Sequence, residues 1–154
     1  KAAADSDALI CLMHMQGEPR TMQQQPEYSD VVQEVSAFLN ERVSASLKAG
    51  IEAEKLILDP GFGFGKTVEQ NYELLGRMEE LGHAFPWLIG VSRKSMIGNF
   101  LNCPVNERLA GSIAAALYAV SQGARIIRVH DVRPTSDALR VFWHAQQFQR
   151  VQTK

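Results

Sequence analysis

Brief apolar runs alternate along this chain with longer stretches whose apolar residues recur every three or four positions. The runs are 8–14 (ALICLMH), 55–59 (KLILD), 86–92 (PWLIGVS) and 124–130 (ARIIRVH). Each is mostly apolar on successive residues, the pattern of a parallel strand covered on both faces. Helical patterns separate them. Val32, Val35, Leu39, Val43 and Leu47 follow helical spacing, with Asp30 and Gln33 as a capping-box pair and Gly50 as the stop. Thr67 and Gln70 cap a second helix, through Leu74, Leu75, Met78 and Leu81 to Gly82. A third covers 106–122 and ends at Gly123. A fourth, from about Pro134, carries Ala138, Val141, Phe142, Ala145 and Phe148 on one face. Lys94 precedes residues that can start a further short helix.

The order β-α-β-α-β-α-β-α predicts an α/β fold, either a doubly wound sheet or part of a (β/α)8 TIM barrel. Four consecutive βα units make half such a barrel. No linker, low-complexity stretch or charge block divides the chain, so 1–154 reads as a single, partial domain. The opening KAAADSDALI has no signal-peptide core and reads as the tail of an earlier element, so the chain is expected to begin mid-fold.

Bulk composition narrows the classes. With 45% hydrophobic and 21% charged residues the chain is globular rather than disordered. A net charge of −1 exerts no long-range pull on nucleic acid or an anionic membrane, so neither is an expected partner. No apolar run reaches membrane-spanning length. Cys11 and Cys103 are expected to be reduced thiols, which agrees with a cytoplasmic location.

Both candidate architectures bind ligands at the carboxyl ends of their strands. There the sequence places Met13, His14 and Met15; Asp59; Gly90, Ser92 and Lys94; and Arg128, His130 and Asp131. Side chains two apart share a strand face, so Arg128 pairs with His130, and Ser92 with Lys94. Lys94, Arg128, His130 and the single acid Asp59 would make a small cationic pocket for an anionic ligand with one donor edge. Each group also has a plain structural reading. Asp59 can cap a turn, Arg128 and His130 can pair with Asp131 or Glu107, and Lys94 can be a solvated charge. His14 reads as a hydrogen-bonded core histidine, and His83 and His144 take no role. No cluster has metal-ligand spacing, and no nucleophile elbow is present.

Asp59–Thr67 (DPGFGFGKT) imitates a phosphate-binding loop, but the spacing fails. Counting back from Gly65, the required glycine position holds Pro60, which has no N–H to donate.

Five blocks carry a resemblance: 12–23 (LMHMQGEPRTMQ), 57–67 (ILDPGFGFGKT), 90–98 (GVSRKSMIG), 107–112 (ERLAGS) and 126–132 (IIRVHDV). In this order they resemble the carboxyl-terminal half of bacterial dihydropteroate synthase, a (β/α)8 barrel of folate biosynthesis. The resemblance implies condensation of 6-hydroxymethyl-7,8-dihydropterin diphosphate with p-aminobenzoate, in competition with sulfonamides. Asp59 would then bind the pterin's amino-pyrimidine edge, with Met13 and Gly90 lining that slot and Lys94 touching the ring. Phe64 and Ser92 would belong to the p-aminobenzoate pocket. Arg128 would pack over the pterin and, with His130, hold the diphosphate, so that Lys94, Arg128 and His130 form the catalytic set. Mg²⁺ is implied as a cofactor, with its protein ligand in the missing amino-terminal half. Also implied is a homodimer through the late helices, or pairing with the missing half. A non-catalytic pterin-binding fragment and a pterin-binding methyl-transfer domain are the alternatives.

Overall fold

The computed structural model describes residues 6–17, 26–82 and 84–148. The opening alanine run, the 18–23 part of the first matched block and His83 lie outside the described residues. The strands are β1 (Ile10–Met13), β2 (Leu56–Asp59), β3 (Leu88–Ile89) and β4 (Ile126–Ile127). β1 runs parallel to β2 with Met13 opposite Asp59, and β3 parallel to β4 with Ile89 opposite Ile127. Leu58 joins the two pairs through a parallel bridge to Trp87, and its N–H donates to the Pro86 carbonyl at 3.0 Å. Strand neighbours therefore follow chain order. A doubly wound sheet instead reverses its order at a switch point.

Each strand is shorter than its apolar run. Beyond the ladders single bonds continue the alignment, from His14 N–H to the Asp59 carbonyl at 3.0 Å and from Arg128 N–H to the Ile89 carbonyl at 2.9 Å. Complete burial is confined to β2; Cys11 of β1 is exposed and β4 is half-buried. Outer strands have a neighbour on one side only, which corrects the expectation of four fully covered strands.

Among the described residues five α-helices connect and follow the strands. In α1 (Val31–Lys48) the Asp30 carboxylate accepts the N–H groups of Val32 and Gln33 at 2.9 and 3.0 Å. The reciprocal partner is Glu34 rather than Gln33, its Oε1 accepting from Ser29 N at 2.7 Å and Asp30 N at 3.3 Å. Val32, Val35, Leu39 and Val43 are buried as their spacing requires, whereas Leu47 is exposed. In α2 (Val68–Gly76) the Thr67–Gln70 capping box forms in both directions. The helix expected to reach Gly82 breaks at Arg77, and Met78–Leu81 tighten into a 3-10 turn. The short helix after Lys94 is α3 (Ser95–Leu101). Val105–Glu107 form a separate 3-10 turn, so α4 (Leu109–Ser121) starts later than expected.

The last helix, α5 (Val132–Gln146), packs on α4. Its expected apolar face is not buried: Val141 is 71% exposed and Phe148, beyond the helix end, 74%. Ala138 and Phe142 of the same face are half-buried, so the face is covered only in part. No described helix is long and apolar enough to cross a membrane, and neither Cys11 nor Cys103 forms a disulfide.

One cluster joins Leu39 of α1, Leu56 and Leu58 of β2, Leu74 of α2, Ile89 of β3, Met96 of α3 and Ala119 of α4. This packing, more than capping, stabilises the fold. Leu74→Ala should lower unfolding free energy by about 3 kcal/mol, and Thr67→Ala by about 1 kcal/mol. Urea denaturation measures both, and equal losses would contradict the ranking.

Candidate functional site

Asp59 ends β2 almost fully buried, at 2% exposure. An ionised carboxylate there needs partners. Its Oδ1 accepts the Gly61 N–H at 2.8 Å, and Arg128 Nη2 lies 3.5 Å from Oδ2. Arg128 comes from just past β4, and its guanidinium reaches across to Gly90, just past β3. A Cβ at Gly90 would stand 3.0 Å from Nη2 and 3.1 Å from Nε, so glycine makes room for it. Met13 sits beside Asp59 in the strand register.

Lys94 reaches the same end of the sheet from the loop after β3. Its ammonium donates to the Phe62 carbonyl and stands 4.6 Å from the centre of the Phe64 ring. Burial pushes Lys94 down to about 8; Asp59 opposes that shift and Arg128 adds to it. The Lys94 ammonium thus feels the charges of both Asp59 and Arg128.

His130 is tied to Ser92. The buried Ser92 hydroxyl accepts the His130 backbone N–H at 3.1 Å and lies 3.1 Å from Nδ1. In the tautomer where the hydroxyl donates to Nδ1, Nε2 carries the ring proton. Neither His130 nor Arg128 pairs with Asp131. That carboxylate is gripped by Arg93, whose Nε donates to Oδ2 at 2.9 Å and whose hydrogen bonding, then charge, holds Asp131 below the usual carboxylate range.

Arg93 itself has a left-handed backbone (φ 57), a conformation that costs a residue with a side chain about 1 to 3 kcal/mol. Three residues hold it there. Its N–H donates to Ser112 Oγ at 2.8 Å, its carbonyl accepts from Arg108 Nη1 at 3.0 Å, and its guanidinium binds Asp131. Arg108 and Ser112 belong to the 107–112 block, to which sequence reasoning assigned no task.

The glycine loop is no phosphate cradle. Gly61 N–H goes to Asp59, Gly63 N–H to Asn71 Oδ1 at 2.6 Å, and Phe64 N–H to the Gly61 carbonyl at 3.1 Å. These donors are spent within the protein. Gly61 has φ 71, and a Cβ there would fall 1.8 Å from the His14 carbonyl oxygen, so the loop closes on the chain after β1 only as glycine.

Sequence reasoning missed Lys66. It is 3% exposed, and its Nζ contacts Gly61 O at 2.9 Å, Phe64 O at 3.2 Å and His14 Nδ1 at 3.0 Å. The buried His14 also meets Phe38 edge-on, with ring centres 5.0 Å apart. It is the hydrogen-bonded core histidine expected. Burial first, then the Lys66 charge, lowers His14 to about 4, so it stays neutral and accepts through Nδ1. Burial likewise lowers Lys66 to about 7.

A cavity of about 640 Å³ lies at the opposite ends of β3 and β4, beside Phe85, Pro86, Arg125 and Trp143. It gathers no acid with cations, so chemistry rather than volume places the site at Asp59. Among the described residues no three His, Cys, Asp or Glu side chains come together to hold a metal ion.

A buried carboxylate with Arg128 beside it, at the carboxyl end of parallel strands, lies where α/β proteins commonly bind ligands. Residues 1–130 match the family described as pterin binding enzyme, and the chain belongs to that family. Dihydropteroate synthase of Escherichia coli (strain K12) is 54% identical over 142 residues, which are 92% of this chain and 50% of that relative. The Yersinia pestis dihydropteroate synthase solved with a sulfonamide drug complex superposes with a TM-score of 0.87 at 46% identity, covering 90% of this chain and 51% of that one. The Xanthomonas albilineans enzyme in complex with 7,8-dihydropteroate gives 0.86 at 44% identity, covering 97% and 54%. The chain spans about half the length of the relatives it matches.

His14 carries a pH signature. Its pKa is lower folded than unfolded, so between about 6.5 and 4 the unfolded chain binds a proton that the folded chain refuses. Stability is fully present above the unfolded value and falls as pH drops toward 4. The full drop amounts to roughly 3 kcal/mol, at about 1.4 kcal/mol per pKa unit. Denaturant midpoints taken from pH 7 to 4.5 should show a smaller slope in His14→Gln than in the parent. An unchanged slope would mean that His14 is not the group responsible.

Proposed function

We propose that the chain supplies half of a (β/α)8 barrel, four consecutive βα units in a single domain, and the pterin end of a dihydropteroate synthase site. The observation that carries this reading is the meeting of Asp59, Lys94 and Arg128 at one sheet end, in a chain 54% identical to such an enzyme. Parallel strands in chain order support the barrel over a doubly wound sheet.

In this reading the dihydropterin ring lies against Met13 and Gly90, with its amino-pyrimidine edge donating to Asp59. Lys94 contacts the ring. Arg128, free to approach from solvent at 59% side-chain exposure, covers the pterin and grips the diphosphate. His130, its Nδ1 side turned to Ser92, offers the diphosphate its Nε2 proton. As the C–O bond breaks, the electron pair leaves with pyrophosphate, and Arg128 and His130 stabilise that charge where it develops. The electron-rich dihydropterin supports the cationic methylene. The p-aminobenzoate nitrogen, set between Phe64 and Ser92 near Lys94, attacks it, forms the C–N bond and releases a proton. Positioning of the two substrates supplies much of the rate. Mg²⁺, implied by resemblance, finds no ligand set among the described residues, and no step here passes through it. The exposed Val141 and Phe148 in and beyond α5 suit either a second copy or the rest of a longer protein.

Pyrophosphate release in the presence of both substrates tests turnover. Arg128→Ala should weaken binding of the pterin diphosphate by about tenfold or more, equivalent to about 1.4 kcal/mol, and of free pterin by less than about threefold. Equal losses would favour a methyl-transfer pterin domain. Pterin binding without turnover would favour a non-catalytic one.

A further inference from the structure

Lys66 stands where a nucleotide-binding loop carries its phosphate lysine, yet its ammonium is folded inward at 3% exposure. Lysine is almost never buried without a partner. Its three hydrogen-bond partners are all neutral: Gly61 O at 2.9 Å, Phe64 O at 3.2 Å and His14 Nδ1 at 3.0 Å. An ammonium has three N–H donors, and these partners use all of them.

Two of the partners bracket the segment that meets Lys94. Between Gly61 and Phe64 lie the Phe62 carbonyl, which accepts from the Lys94 ammonium, and the Phe64 ring, which faces it at 4.6 Å. The segment is conformationally loose by composition, since Gly61, Gly63 and Gly65 all have positive φ. Tyr28 fixes its outer end by donating to Gly65 O at 2.8 Å, and Asn71 holds Gly63 N–H and the Lys66 carbonyl. Lys66 is the tie from inside. A hydrophobic side chain there could fill the space but would leave the Phe64 carbonyl without its donor.

We infer that Lys66 is a positioning residue. By holding the Gly61 and Phe64 carbonyls from within the loop, it sets the Phe64 ring beneath Lys94 and so shapes the wall against which an aryl amine substrate lies. The substrate rests on the function proposed above; the positioning of Phe64 and Lys94 does not.

The test uses Lys66→Met, Phe64→Leu and the double variant in the full chain, with Lys66→Gln, which keeps donors, as the substitute should Lys66→Met fail to fold. Lys94 is followed by NMR titration of its labelled Nζ, the loop by amide exchange at Gly63 and Phe64, and turnover by p-aminobenzoate KM and kcat. Lys66→Met should raise the p-aminobenzoate KM by about tenfold, with kcat and free-pterin affinity changed less than about threefold. The Lys94 titration should move upward from about 8 as the loop loosens and water reaches it. Adding Lys66→Met to Phe64→Leu should change KM little further, because both remove the same wall. A loss of thermal stability with the Lys94 titration, loop exchange and KM unchanged would overturn the inference, as would additive KM effects. If the parent chain shows no p-aminobenzoate-dependent turnover, the proposed function fails instead. The Lys94 titration and loop exchange then decide the inference alone.

Discussion

A carboxylate at 2% exposure is the constraint from which the rest of this site follows. Water cannot solvate Asp59, so the protein must supply both hydrogen bonds and countercharge. The hydrogen bond comes from the loop that begins immediately after it, through Gly61 N–H. The countercharge comes from the loops after the next two strands, through Lys94 and Arg128. Parallel strands in chain order place those three loops side by side. The sheet topology and the site's electrostatics are therefore one requirement seen at two scales.

Much of this was legible in the chain, for a physical reason. Strand residues buried on both faces have no use for a terminal Asp, Lys or Arg, so Asp59, Lys94 and Arg128 at the ends of apolar runs stood out. The Thr67–Gln70 capping box was equally readable, because both partners lie within one turn. Element lengths were less so. Whether Gln33 or Glu34 answers Asp30, and whether a helix continues or tightens after Arg77, depends on side-chain reach and packing that periodicity does not encode. The apolar positions of α5 illustrate the other limit. A pattern announces a hydrophobic face but not what covers it.

The least legible residues act through backbone atoms. Lys66 binds two carbonyls and a histidine 52 positions away, and nothing in its neighbourhood marks it as buried. Its motif only imitates a phosphate loop, and the fold turns it inward. Arg93 shows the same limit, since its left-handed conformation is held by Ser112 and Arg108 at the start of α4 and by Asp131 at the start of α5. The matched 107–112 block was visible as a string of letters, but its task of holding the residue before Lys94 appears only in three dimensions.

The bridge between Leu58 and Trp87 has a mechanical meaning. The four described strands are two pairs stitched along a seam, with Asp59 on one pair and Lys94 and Arg128 following the strands of the other. Any molecule grasped by the acid and by the cations together spans that seam. By linkage, such a molecule would favour the state in which the two pairs stay joined over the state in which they part.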